Sequence, residues 1–137
     1  MRTIDHIVIH HSASPLSTTA ADIDRWHRKK GWAGAGYHLI CERTGKLVLG
    51  RQIDLMGAHV RGSNRSSIGI CLVGDNTKLA QRWCAEQVQS LKTALEVLGV
   101  LFPGAVVLGH RDMPNTATEC PGLDVRELLK GECNEDA

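Results

Sequence analysis

Along the chain, hydrophobic and polar positions form short β-branched runs separated by polar turns, with one long stretch of helical spacing. Ile4 to His10 (IDHIVIH) is a compact apolar run that predicts a buried central strand. It ends in His10-His11, and Ser12-Ala13-Ser14-Pro15 breaks it. Read from this segment alone, one histidine of the pair faces solvent and the other caps the core. Ser17, Thr18 and Thr19 offer N-caps for ADIDRWHRKKG, where Ile23, Trp26 and His27 share one helical face and Gly31 is the stop. Gly36 to Glu42 reads as a strand, Arg43-Thr44-Gly45-Lys46 as a turn, and Leu47 to Gln52 as the antiparallel return.

From Ile53 to Ser66 the pattern is irregular and loop-like, and His59, Arg61, Asn64 and Arg65 place hydrogen-bond donors there. Ser67 to Gly74 (SIGICLVG) is a continuous apolar strand with Cys71 as a small buried hydrophobe. After the polar connection Asp75 to Ala80, the long helix runs from Ala85 to Leu101. Val88, Leu91, Ala94, Leu95, Leu98 and Leu101 keep its spacing, and Phe102-Pro103-Gly104 ends it. Ala105 to Leu108 is a further buried strand, and Asp124 caps a short helix ending at Lys130. Residues 131–137 read as a frayed tail, leaving 1–130 as the folded unit. With no repeat or linker, the pattern predicts a single-domain α/β fold, a central mixed sheet flanked by helices.

Composition changes this picture little. At 137 residues the chain fits one domain, and its formal charge of +1 gives no global pull toward nucleic acid or an anionic membrane. The start, MRTIDHIVIHHS, has too short an apolar run for a signal peptide, so synthesis in the cytosol is the expectation. The five cysteines are an odd number without a secretory signal, which favours free thiols or metal ligation over a disulfide framework.

The stretch from Leu108 to Gly122 (LGHRDMPNTATECPG) carries the chemistry. It joins an imidazole at His110 to a thiol at Cys120, and nitrogen and sulfur donors suit zinc. A catalytic zinc takes three protein ligands and keeps a fourth position open. Two predicted strands finish in histidines, at His10 and His110. If they are parallel neighbours, both imidazoles emerge at one sheet edge and Cys120 curls back over them, with His10 as the third ligand. Asp112 stands where it serves either as an orienting partner for a ligand imidazole or in an Asx turn.

The blocks IVIHHSAS, GWAGAGYHLI, GAHVRGSNRSSIGICLVG and GHRDMPNTATECPG, in that order, resemble the zinc-dependent N-acetylmuramoyl-L-alanine amidases of type 2. This is the family of phage amidase lysozymes and peptidoglycan recognition proteins, and the resemblance runs from about Ile4 to Leu129. It implies one zinc ion on His10, His110 and Cys120, with His11 not a ligand, and an active-site tyrosine at Tyr37. It also implies a substrate of peptidoglycan or muropeptides, cut at the amide between N-acetylmuramic acid and L-alanine. Thr118 stands where some phage members carry lysine; recognition proteins that remain active carry threonine there. No carboxylate stands where related cytosolic muropeptide amidases have a general base. His59, Asn64, Arg61 and Arg65 are the candidates for holding glycan or stem peptide, against the reading of an ordinary solvated loop.

Three alternatives accompany the amidase: a structural zinc closed by a fourth ligand such as His11, a non-catalytic peptidoglycan-binding module, and a protein-partner role. The module reading is disfavoured because members without catalysis typically lack the cysteine that Cys120 supplies. Some phage amidases of this size bind an RNA polymerase, which this sequence neither supports nor excludes. The single-domain format favours a phage or prophage lysin released to the wall through a holin over a cytosolic muropeptide-recycling enzyme.

Overall fold

The computed structural model describes the backbone of residues 2–135 and the side chains of residues 2–130. Its elements in chain order are β1 (His6–His11), α1 (Ala20–Lys29), β2 (Leu39–Cys41), β3 (Leu47–Leu49), β4 (Ser67–Leu72), α2 (Ala85–Leu101), β5 (Val106–Gly109) and α3 (Val125–Glu135). Short 3-10 turns cover Asn64–Ser66, Leu79–Gln81 and His110–Asp112. The sheet order is β3-β2-β4-β1-β5, with β1 parallel to β4 and β5, β2 parallel to β4, and β3 antiparallel to β2. This is the mixed, helix-flanked sheet that the pattern predicts.

Period-two alternation sorts β1 and β4 between two covered faces. Ile7 and Ile9 of β1 and Ile68, Ile70 and Leu72 of β4 pack with Leu91, Ala94 and Leu98 of α2 and Val125 of α3. On the other face Cys71 and Ile40 pack with Ala20 and Ile23 of α1, and Val8 packs with Val60 and Met113. Each fully buried aliphatic side chain of this kind contributes roughly 1.5–3 kcal/mol of transfer free energy.

Several boundaries differ from the sequence reading. Strand β1 runs through His11, and both histidines of the pair are buried, so neither faces solvent. The hairpin arms pair as a ladder only between Leu39–Cys41 and Leu47–Leu49. Beyond that, Gly50 and Arg51 donate singly to His38 O and Tyr37 O, while the His38 N–H is taken by Gly69 O. Helix α1 starts at a capping box between Thr19 and Asp22, but Trp26 lies 40% exposed and only Ile23 and His27 of the expected face are buried. Asp124 caps α3 through Arg126 N and Glu127 N, and the helix continues past Lys130 to Glu135. Of the tail read as frayed, the backbone of residues 131–135 lies in this helix, and residues 136–137 fall outside the described ones.

Candidate metal centre

Parallel pairing of β1 with β5 sends both strands toward the same sheet edge, with Ile9 opposite Gly109. The next residue of each strand is a histidine. His10 is 1% exposed on the α1 face of the sheet, and its ring centroid lies 4.7 Å from that of His110. The loop after His110 returns Cys120 to them, where Cys120 Sγ lies 3.8 Å from His10 Nδ1. Ligating atoms of His10, His110 and Cys120 all fall within 4.8 Å of one another.

The returning loop is held at several points. Arg111 N donates to Cys120 O at 2.7 Å, and Cys120 N donates to Thr118 Oγ1 at 3.1 Å. The buried Asn76 spans the rest: its Nδ2 donates to Pro121 O at 2.8 Å, its Oδ1 accepts from Trp83 N, and its own N–H donates to His11 Nδ1 at 3.1 Å. His11 thus faces away from His10 and spends a ring nitrogen on loop anchoring, so it does not close the donor set. Asp112 Oδ2 accepts from Gly109 N at 3.2 Å; of the two roles weighed for it, this is the turn-capping one.

Burial prepares the donors chemically. His10 and His110 titrate below the usual histidine range, His10 far below it, because burial disfavours the charged ring and, for His10, neighbouring histidines add repulsion. Both imidazoles are therefore neutral with a lone pair available. Burial pushes the Cys120 thiol up to about 11, so it keeps its proton until a cation displaces it. Two neutral imidazoles and one displaceable thiol at these distances fit zinc, and three donors leave a position open.

Tyr37, two residues before β2, has its ring centroid 5.1 Å from that of His10. Burial, then the nearby Cys71 and Cys120 sulfurs, raise its hydroxyl well above the usual phenol range. It remains a donor at neutral pH. Thr118 is exposed; its oxygen accepts from Cys120 N, and the hydroxyl hydrogen is free to be donated. A cavity of about 430 Å³ opens beside His110, lined also by Trp32, Ala58, His59, Arg61 and Asn64.

Of the candidate loop residues, the lining of that cavity includes His59, Arg61 and Asn64 but not Arg65. Much of their polar capacity is already engaged. Asn64 Oδ1 accepts from both His59 N and Val60 N at 2.8 Å, and His59 Nδ1 lies 2.9 Å from His10 Nε2. Arg61 is exposed and lines the cavity. Sequence reading missed Trp32, whose only signal was an aromatic within the glycine-rich GWAGAG. It also missed Asn76, which looked like one more polar residue of a connection.

Comparison with known proteins agrees with this geometry. Residues 1–123 match the family described as N-acetylmuramoyl-L-alanine amidase, and the chain belongs to that family. It is 36% identical over 127 residues to the endolysin of Escherichia phage T7, covering 89% of this chain and 83% of the relative. To peptidoglycan-recognition protein SC2 of Drosophila melanogaster it is 30% identical over 131 residues, covering 89% and 70%. Among solved structures, the N-acetylmuramoyl-L-alanine amidase LysC from Clostridium intestinale superposes with a TM-score of 0.83 at 28% identity, covering 97% of this chain and 87% of that one. The endolysin of Thermus scotoductus bacteriophage Ph2119 superposes with a TM-score of 0.85 at 27% identity, covering 94% and 84%.

Proposed function

We propose that the protein is a phage-type lytic amidase, in which His10, His110 and Cys120 hold one zinc ion and the amide between N-acetylmuramic acid and L-alanine of peptidoglycan is hydrolysed. The observation that carries this reading is the convergence of those three donors within 4.8 Å, with His110 among them lining an open cavity. Residues 1–130 form the catalytic domain. A zinc ion held there supplies Lewis acidity toward the scissile carbonyl and toward water.

The remaining steps belong to the chain. Substrate lies in the cavity with the scissile amide beside His110, and Arg61 in its lining meets a peptide carboxylate as a charge-assisted donor; Arg65 lies outside that lining. Tyr37, kept protonated by burial, offers its hydroxyl to the oxygen on which charge develops. Thr118 adds a second, neutral donor from the loop that carries Cys120. A correctly aimed donor of this kind is worth roughly 2–4 kcal/mol in the transition state. His59 and Asn64 form the floor of the same cavity.

The endolysins among the relatives favour a lysin over a recycling enzyme, with the protein reaching the wall through holin-type release. Among the described residues no helix is long and apolar enough to cross a membrane. Mass spectrometry of purified cell wall after digestion tests the bond cut. Intact stem peptides with a free L-alanine amine are expected; new glycan reducing ends in their place would overturn the reading.

A further inference from the structure

His59 has its own seat in the sheet. Its ring meets that of His10 edge-on, with centroids 5.0 Å apart and planes at 84°. It lies over Gly69 of β4, where an added Cβ would come 2.6 Å from His59 Cγ and 2.7 Å from Nδ1. On its other side a Cβ at Gly57 would come 2.8 Å from His59 Cδ2. Gly69 pairs with Val8 and Cys71 with His10, so the glycine clears a slot one step along the sheet from the candidate ligand. The backbone under the ring is fixed by Asn64 Oδ1, which takes the N–H groups of His59 and Val60. Arg2 Nη1 then ties down the carbonyls of Asn64, Arg65 and Ser67.

The hydrogen bonds around this ring can be followed proton by proton. Ser67 Oγ donates its only hydrogen to Ser63 O at 2.8 Å. Toward His59 Nε2, 3.3 Å away, Ser67 Oγ therefore presents lone pairs, and the proton between them belongs to His59 Nε2. His59 Nδ1 is then bare and accepts at 2.9 Å, so His10 carries its proton on Nε2. That leaves His10 Nδ1 unprotonated, on the side of Cys120 Sγ.

We infer that His59 is a positioning residue, which, through Ser67 and the Ser63 carbonyl, holds His10 in the tautomer that turns the Nδ1 lone pair toward Cys120. The inference rests on the zinc reading above for its purpose, but the tautomer is a property of the metal-free chain. Ligand imidazoles need the second ring nitrogen engaged to fix ring orientation, and here a neutral imidazole takes the place of the more usual carboxylate or carbonyl. Asn64 acts at one remove, by holding the His59 backbone.

The test uses the full chain. Long-range proton–nitrogen NMR of the metal-free wild type should find the proton on Nε2 in both His10 and His59; a proton on Nδ1 of either ring overturns the inference, whether or not the protein binds zinc. Chelator competition then measures zinc affinity. His59→Leu, which fills the slot without an acceptor, should bind zinc about 10- to 100-fold more weakly. His59→Asn, whose Oδ1 stands near the place of Nδ1, should recover most of that loss. Unchanged zinc affinity in a folded His59→Leu, with only a raised KM, would assign the ring to substrate contact instead. A wild type that binds no zinc would sink the zinc reading and leave the tautomer measurement to decide this one.

Discussion

Cys120 Sγ stands 3.8 Å from His10 Nδ1, although 110 residues of chain separate them. Zinc bonds of about 2.0–2.3 Å to nitrogen and sulfur let donors at this separation share one ion. Cys120→Ser should therefore weaken zinc binding by more than about 100-fold, beyond what losing an outer partner of a ligand costs. Chelator competition measures it, and an affinity within tenfold of wild type would remove Cys120 from the ligand set.

Tyr37→Phe separates metal binding from transition-state stabilisation. The hydroxyl lies outside the three-donor set, so zinc affinity should hold while kcat on purified cell wall falls about 100- to 1,000-fold. Unchanged kcat with zinc bound would show that Tyr37 only packs against His10.

Thr118 accepts from Cys120 N, and the proposed second task is to offer its hydrogen to the substrate side. Thr118→Val loses both and should lower kcat by about 30- to 1,000-fold, the roughly 2–4 kcal/mol of a correctly aimed donor. Thr118→Ser keeps both and should stay near wild type. Equal kcat values for the valine and serine variants would argue against any donor role.

How much of this was legible in the sequence depends on what fixed each feature. Helix α2 was readable to the residue, since its apolar stripe and its Phe102-Pro103-Gly104 stop are local signals. The convergence of His10 and His110 was readable because two apolar runs end in histidine and parallel pairing does the rest. His11 was not, because its burial depends on Asn76, which lies 65 residues away and reaches back across the sheet. The contact between His59 and His10 was equally hidden: it depends on Gly69 leaving room in a third segment, and in the sequence that glycine looks only like a weak point in a strand.

Acid should destabilise the metal-free fold through its buried imidazoles. His10, His11, His27, His38, His59 and His110 all titrate below the usual range, burial being the largest cause in each, and His59 is brought down to about 3. The unfolded chain binds protons near 6.5 that the folded chain refuses, so stability is complete above that pH and is lost as pH falls toward the folded values. Each refused proton contributes a slope of about 1.4 kcal/mol per pH unit. Urea unfolding of metal-free protein should give a plateau above about pH 7 and a decline below 6.5; stability that rises on acidification through this range would contradict the assignment of neutral, buried rings.

If His10, His110 and Cys120 form a zinc centre that hydrolyses peptidoglycan, metal content and activity must rise and fall together. Purified protein should carry one zinc per chain, lose its release of L-alanine amines from cell wall on chelation, and regain it with one equivalent of zinc. Metal-free protein that retains full activity would contradict the account.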